Sequence, residues 1–265
     1  MPDPTKKTYL IIGASRGIGL ELTSQLLDKN QFVIATERVS WPEDTSPGLF
    51  SLSTTHKNSG NVRILNCDVS KEESVTDFVQ SVESLLVEGL IDVAIFNAGI
   101  LEYPARVSDF SRYAFSHHLQ INALGPLQAA SLLLANPLLT LRTLVFVSSD
   151  SGSASQFLSH EDGFAAYSMS KVALNQGLRH LSYELVRKYE NEKSKCPVVL
   201  AIHPGEVKTD MASSVNLVWE VPGQISVGES VEGVLRVVEE KGWSREVNGN
   251  GGATFWDWNG DRHPW

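Results

Sequence analysis

The sequence predicts an α/β fold: one domain holding a doubly wound parallel sheet of about seven strands, with helices on both faces. Three observations predict it. Short β-branched or aromatic runs alternate with longer helical patterns along all 265 residues. Runs such as Leu144-Val145-Phe146-Val147 and Val198-Val199-Leu200-Ala201-Ile202 are apolar throughout, which suits strands covered on both faces rather than on one. A glycine-rich turn joins the first apolar run to the first amphipathic stretch, the local order of a strand, turn and helix unit. A chain of this length buries a sizeable core, and α/β folds of this size are commonly one domain.

In chain order, strands are expected at 8–12, 32–36, 62–66, 91–96, 143–147, 197–202 and 253–256. Helices are expected at 18–29, where Leu20, Leu22, Leu26 and Leu27 make an apolar stripe, and at 71–87, 112–134, 165–189 and 228–240. Ser226 and Glu229 stand at capping-box spacing before the last of these. Segments 40–60 and 150–164 are polar and read as loops. The half up to about residue 150 carries the glycine turn, and 151–265 carries the remaining reactive groups.

Gly13-Ala14-Ser15-Arg16-Gly17-Ile18-Gly19 follows Tyr9-Leu10-Ile11-Ile12. Gly13 suits a tight turn, and missing side chains at Gly17 and Gly19 admit a pyrophosphate to backbone N–H groups at the positive end of the next helix. Its G-x-x-x-G-x-G spacing departs from the G-x-G-x-x-G dinucleotide fingerprint. Further on, Tyr167 and Lys171 lie one helical turn apart on one face. An ammonium near a phenol favours the charged form of that phenol, lowering its pKa and fitting it to pass a proton to a carbonyl oxygen. By itself the pair also fits an ordinary solvated helix face.

Together with Asp68-Val69, Asn97-Ala98-Gly99, Asn122, Ser148-Ser149 and Pro204-Gly205 in this order, these residues resemble the short-chain dehydrogenase/reductase family over essentially the whole chain. The closing stretch Thr254 to Trp265, with Asn175, looks most like the branch of sniffer-type and C-factor-type carbonyl reductases and their fungal relatives. The resemblance implies a Rossmann-type fold and hydride transfer between a nicotinamide cofactor and a ketone, aldehyde or alcohol. It implies that Tyr167 is the general acid/base, that Ser149 holds the substrate oxygen, and that Lys171 binds the nicotinamide ribose and tunes Tyr167. Asn122 would hold a water linking Lys171 to solvent, and it also reads as satisfying backbone groups where it breaks an apolar helix. Ser148 is next to Ser149 and chemically equivalent, and the family's S-x-x-G register selects Ser149. Asp68 reads as the adenine contact or as a helix cap, with Val69 packed beside it.

Asn97, Ala98 and Gly99 resemble the family's strand-end support for the cofactor, although Phe96 stands where the fuller motif has another Asn. Pro204, Gly205, Val207 and Thr209 resemble the loop that meets the nicotinamide carboxamide. Eighteen positions separate Ser149 from Tyr167, more than the family usually has, so Gln156 to Phe164 reads as an enlarged loop. It either brings Phe157, His160 and Phe164 to the substrate or runs over the surface. The apolar segment from Met211 to Ile225, containing Trp219 and broken at Pro222-Gly223, reads as a substrate lid.

Lysine and arginine number 22 against 31 aspartate and glutamate, a formal charge of −9, which argues against nucleic acid and anionic membrane as partners. A small, moderately hydrophobic carbonyl or alcohol substrate is expected instead. Cys67 and Cys196 form neither a metal-ligand nor a disulfide pattern, in keeping with a reducing compartment. The first residues lack an apolar signal core, and no apolar run nears the roughly 18 residues of a membrane span, so the expected location is cytoplasmic. The family implies a homodimer or homotetramer, although members of this branch are also monomeric.

Cofactor choice turns on the end of the second strand. Glu37 would hydrogen-bond ribose hydroxyls and favour NAD(H), whereas Arg16 and Arg38 would grip a 2′-phosphate. Two cations against one anion favour NADP(H), with Glu37 expected to turn to solvent or pair with an arginine. Two rival readings keep the fold and change the role: a cofactor-dependent non-redox enzyme, and a dinucleotide-binding regulatory protein without turnover.

Overall fold

The computed structural model describes residues 6–38, 46–57, 60–213, 223–243 and 252–265. Among them lie seven strands: β1 Thr8–Ile12, β2 Phe32–Glu37, β3 Val62–Asn66, β4 Leu90–Phe96, β5 Thr140–Val147, β6 Val198–His203 and β7 Thr254–Asp257. They form one fully parallel sheet in the order β3-β2-β1-β4-β5-β6-β7. The chain builds outward from β1 to β3 and then returns to lay β4 on the other side of β1. The switch point, where open α/β sheets bind ligands beyond the strand ends, therefore lies between β1 and β4.

The uniformly apolar strands are explained by two cores. Leu10, Ile12, Phe32 and Ile34 face one side and pack with Phe78, Val82, Ala129, Leu133, Leu174 and Leu178. Their sequence neighbours Tyr9, Ile11, Val33 and Ala35 face the other, against Leu22, Leu26, Leu49, Val231 and Val234. The first side is covered by α3 Glu72–Leu85, α5 Gly125–Ala135 and α6 Ala165–Lys188, the second by α1 Gly17–Asp28, α2 Pro47–Thr55 and α8 Val227–Lys241. Ser226 caps α8, its Oγ accepting from the Glu229 N–H at 3.1 Å.

Two elements differ from expectation. Within 40–60, residues 47–55 form α2 instead of loop: Pro47 occupies a first-turn position where its missing N–H costs nothing, and Leu49 is fully buried with Leu52 packed nearby. The polar composition hid an apolar stripe only two residues strong. The expected helix at 112–134 is α4 Arg112–Leu119, a π turn at Gln120–Leu124, and then α5. A short helix, α7, spans Asp210–Ser213. Most of the expected lid, Trp219 included, lies outside the described residues. None of the described helices is long and apolar enough to cross a membrane.

Candidate active site

The glycine turn is built by close packing at its ends and openness at its centre. A Cβ on Gly19 would sit 2.0 Å from the Gly13 carbonyl oxygen and 2.6 Å from Asn97 Nδ2. Gly19 thus makes room for the chain's own backbone rather than for a phosphate, a correction to the expectation. Gly17 is the open position: its φ of +55° suits glycine, and the nearest atom a Cβ would meet is Thr209 Cγ2 at 3.6 Å. That proximity places the loop after β6 over the turn. Ser15 and Ile18 are half-buried and Arg16 is exposed. Arg16, at the N-cap, offers no side-chain bond to the first N–H groups of α1, leaving an anion site of helix N–H groups.

The strand-end residues hold this turn in place. Asn97 Nδ2 donates to the Gly13 carbonyl at 2.7 Å, and the Asn97 and Ala98 N–H groups both donate to the Ile12 carbonyl. Phe96, in the position of the missing second Asn, stacks on Phe146 with centroids 4.3 Å apart, so packing replaces hydrogen bonding there. Val69 is buried, and its carbonyl would lie 2.4 Å from a Cβ on Gly125. Asp68 accepts from the Ser70 N–H and hydroxyl through Oδ1 and pairs with Lys71. It thus shapes the turn before α3, whose N-cap is Lys71. Burial works against the Asp68 carboxylate, but these bonds hold its pKa below the usual value.

At the end of β2, Glu37 departs from both expected placements. It is 2 % exposed, and its Oε2 accepts from the Ser46 N–H at 2.9 Å. Its Oε2 is thereby committed to the entry to α2, while Oε1 is buried with no hydrogen-bond partner among the described residues. Arg38, its neighbour, is exposed.

Beyond β4 and β5, the reactive groups converge. Ser149 and Tyr167 come together closely enough for the Ser149 side chain to lower the pKa of the phenol. Lys171 Nζ lies 5.6 Å from the Tyr167 ring centroid and donates to the Val147 carbonyl at 2.9 Å. Ser148 has a different role: its hydroxyl donates to Asn175 Oδ1 at 2.7 Å, and Asn175 Nδ2 donates to the Gly152 carbonyl. The two serines are thus separated by geometry, with only Ser149 on the Tyr167 side. Asn122, in the π turn, uses its amide on the backbone of Ile100 in both directions, at 2.8 and 2.9 Å, and donates to Ser170 Oγ. A Cβ on Gly99 would lie 3.3 Å from Asn122 Oδ1 and 4.0 Å from Lys171 Nζ, so these three meet at one point.

The electrostatics correct one expectation. Burial pushes the Tyr167 phenol above its ordinary value, the Ser149 bond lowers it, and the carboxylates of Asp150, Glu161 and Glu206 raise it further. The expected lowering by Lys171 is not among the causes that set this pKa. Burial brings Lys171 itself down to about 8. Glu161 is pushed up to about 7 by burial and by Asp150, against the lowering bond from Ser151. Glu206 is also pushed up to about 7, by burial and by Asp150 and Glu161, against His160.

The loop before α6 is docked rather than free. Arg106 forms a two-pronged pair with Asp162, and the Ala105 N–H donates to the Gly163 carbonyl. Phe164 meets the Tyr167 ring edge-on at 5.9 Å, whereas Phe157 is 92 % exposed. His160 acts on Glu206 electrostatically. Glu161, not singled out from sequence, is the loop residue that reaches the serines, through Ser151 Oγ at 2.7 Å. No periodicity marks it.

The loop after β6 closes the site. Ser230 Oγ donates to the Pro204 carbonyl at 2.6 Å, and Gly205 lies under Trp258, whose Cδ1 would be 2.8 Å from a Cβ there. Val207 bridges to Ile225, and the Thr209 N–H donates to the Val207 carbonyl. Glycine-turn, strand-end and loop residues therefore gather at the carboxyl ends of β1, β4, β5 and β6.

Comparison with known proteins agrees with this geometry. The family model for short chain dehydrogenases matches residues 7–218. An uncharacterized oxidoreductase of Schizosaccharomyces pombe is 33 % identical over 249 residues, covering 89 % of this chain and 91 % of that protein. The NADPH-bound carbonyl reductase from chicken fatty liver superposes with a TM-score of 0.80 at 26 % identity, covering 98 % of this chain and 99 % of the other. The carbonyl reductase Sniffer of Drosophila melanogaster gives 0.77 at 26 % identity, covering 98 % and 100 %. With the motifs in register and the sheet in this order, the chain belongs to the short-chain dehydrogenase/reductase family of oxidoreductases.

Proposed function

We propose that the protein is an NADPH-dependent carbonyl reductase acting on a small, moderately hydrophobic ketone or aldehyde. The observation that carries it is the convergence of Ser149, Tyr167 and Lys171 beside a glycine turn whose centre, at Gly17, is open. When bound, the reduced nicotinamide supplies the hydride. Ser149 holds the carbonyl oxygen, and Tyr167, whose raised pKa means that it carries its proton at neutral pH, gives that oxygen its proton. Lys171, with Asn122 and Gly99 beside it, stands where a ribose would reach it.

Two features support NADP(H) over NAD(H), which is still accommodated. Arg16 and Arg38 are exposed at the turn and at the end of β2, and a guanidinium suits a 2′-phosphate. Glu37 is withdrawn onto Ser46. The NADPH-bound chicken reductase is a similar fold carrying that cofactor. A panel of carbonyl compounds followed by nicotinamide absorbance with each reduced cofactor tests the reading. Stoichiometric NADPH oxidation with alcohol formation is expected, and product formation without cofactor consumption would instead mean non-redox chemistry.

A further inference from the structure

A line of hydroxyls leads away from Tyr167. The phenol lies beside Ser149, Ser149 Oγ donates to Ser151 Oγ at 3.2 Å, and Ser151 Oγ donates to Glu161 Oε1 at 2.7 Å. Every donor in this line points toward Glu161, which is half-buried and keeps a solvent-facing side. Ser149 has one hydroxyl hydrogen and a second acceptor, Asp150 Oδ1 at 3.0 Å, so it turns between the two. We propose that Glu161 feeds protons to Tyr167 through Ser151 and Ser149, a route separate from the Lys171 and Asn122 side of the phenol. This rests on the carbonyl-reductase reading.

The proton balance closes without any electron transfer. Reduction breaks the phenol O–H bond as the carbonyl oxygen takes its proton. After the alcohol leaves, the phenolate takes the Ser149 proton, Ser149 takes the Ser151 proton, and Ser151 takes one from the Glu161 carboxyl. Glu161 remains as a carboxylate and regains a proton from water. The observed donor directions are those of the chain once the proton has passed to the phenol. Glu161 acts through the serines and touches no reacting atom, which makes it a positioning residue.

The surroundings suit a carboxyl that holds a proton near neutral pH. Asp150 after β5 faces it with negative charge, Glu206 after β6 and Tyr167 on α6 are coupled to it, and His160 adjoins it on its own loop. Burial and Asp150 push Glu161 up to about 7, so it delivers protons below that pH and loses the capacity above it.

The test uses full-length Glu161→Gln, Ser151→Ala and the double variant, with Tyr167→Phe as the inactive control. In wild type, kcat is expected to fall as pH rises through about 7. Both single variants should lose about tenfold in kcat at pH 6 with KM for NADPH unchanged, and should lose that limb of the profile. The double variant should be no worse than either single one, because one line is cut twice. Imidazolium added as a small proton donor should restore kcat in Glu161→Gln, which a merely structural loss would not allow. Independently of turnover, infrared titration of the cofactor-free protein should show protonated-carboxyl absorption that disappears near pH 7, lose part of it in Glu161→Gln, and keep the part that belongs to Glu206. Variants that keep the wild-type pH profile, or a loss that no small acid restores, overturn the relay and leave the reductase reading standing. A wild-type protein without NADPH-dependent turnover on any carbonyl overturns both.

Discussion

Tyr167 and Ser149 show how one residue's surroundings set its task. A phenol raised by burial and three carboxylates holds its proton in the empty site. Tyr167→Phe is therefore expected to abolish carbonyl reduction while cofactor affinity, read by fluorescence titration, stays near wild type, since the ring still packs against Phe164. Ser149→Ala should lower kcat by about one to three powers of ten, the range for losing one oxyanion-type donor. Ser148→Ala should instead act on stability. It leaves Asn175 Oδ1 without its buried donor, a cost of about 1–3 kcal/mol, read as a lower denaturant midpoint with kcat little changed. The reverse pattern for the two serines would move the substrate oxygen to Ser148.

At the scale of elements, the π turn at Gln120–Leu124 is where fold and chemistry share a residue. Asn122 is 1 % exposed and closes both backbone groups of Ile100, tying the helix to the chain just past β4. Asn122→Ala is expected to lower thermal stability as well as turnover, because the same amide fixes the segment next to Gly99 and Lys171. Loss of turnover with an unchanged Tm would separate the two roles. The glycine turn makes a sharper contrast. Gly19→Ala should prevent correct folding, its methyl colliding with the Gly13 carbonyl, whereas Gly17→Ala meets no backbone and pays chiefly for a positive φ. Circular dichroism and soluble yield distinguish them.

For the molecule as a whole, pH links the site to stability. Glu161 and Glu206 lose their protons near 4.5 when unfolded and near 7 when folded, so between those values the native state holds the extra protons. Their contribution to stability is complete below about 4.5 and is lost as pH rises through about 7. Glu206→Gln should therefore flatten the fall of Tm between pH 5 and 7 relative to wild type. A variant whose Tm follows the wild-type slope would show that Glu206 titrates normally. Cofactor preference is also a property of several elements together: Arg16 before α1, Arg38 after β2, and Glu37 held by Ser46 at the start of α2. NADPH is expected to give the higher kcat/KM, and Arg38→Ala to narrow the gap mainly by raising KM for NADPH. A higher kcat/KM with NADH would show that Glu37 dominates.

Much of this was legible along the chain because its signals are local. Seven apolar runs of strand length, a glycine turn between the first strand and helix, and Tyr167 and Lys171 at helical spacing each depend on residues a few positions apart, where backbone sterics and periodicity decide. That the strands form a parallel sheet followed from the same alternation of strand and helix, whereas their order was set by the tertiary structure. What only the tertiary structure decided are contacts between residues far apart in sequence: Glu37 turning to Ser46, Ser148 to Asn175, Thr209 over Gly17, and the three carboxylates that raise Tyr167. A pKa or a hydrogen-bond partner is set by burial and by charges within a few ångströms, and those distances exist only once the loops after β5 and β6 have been folded over the sheet end. Glu161 is such a case, a residue of an irregular loop with no periodic mark, given its place by Ser151.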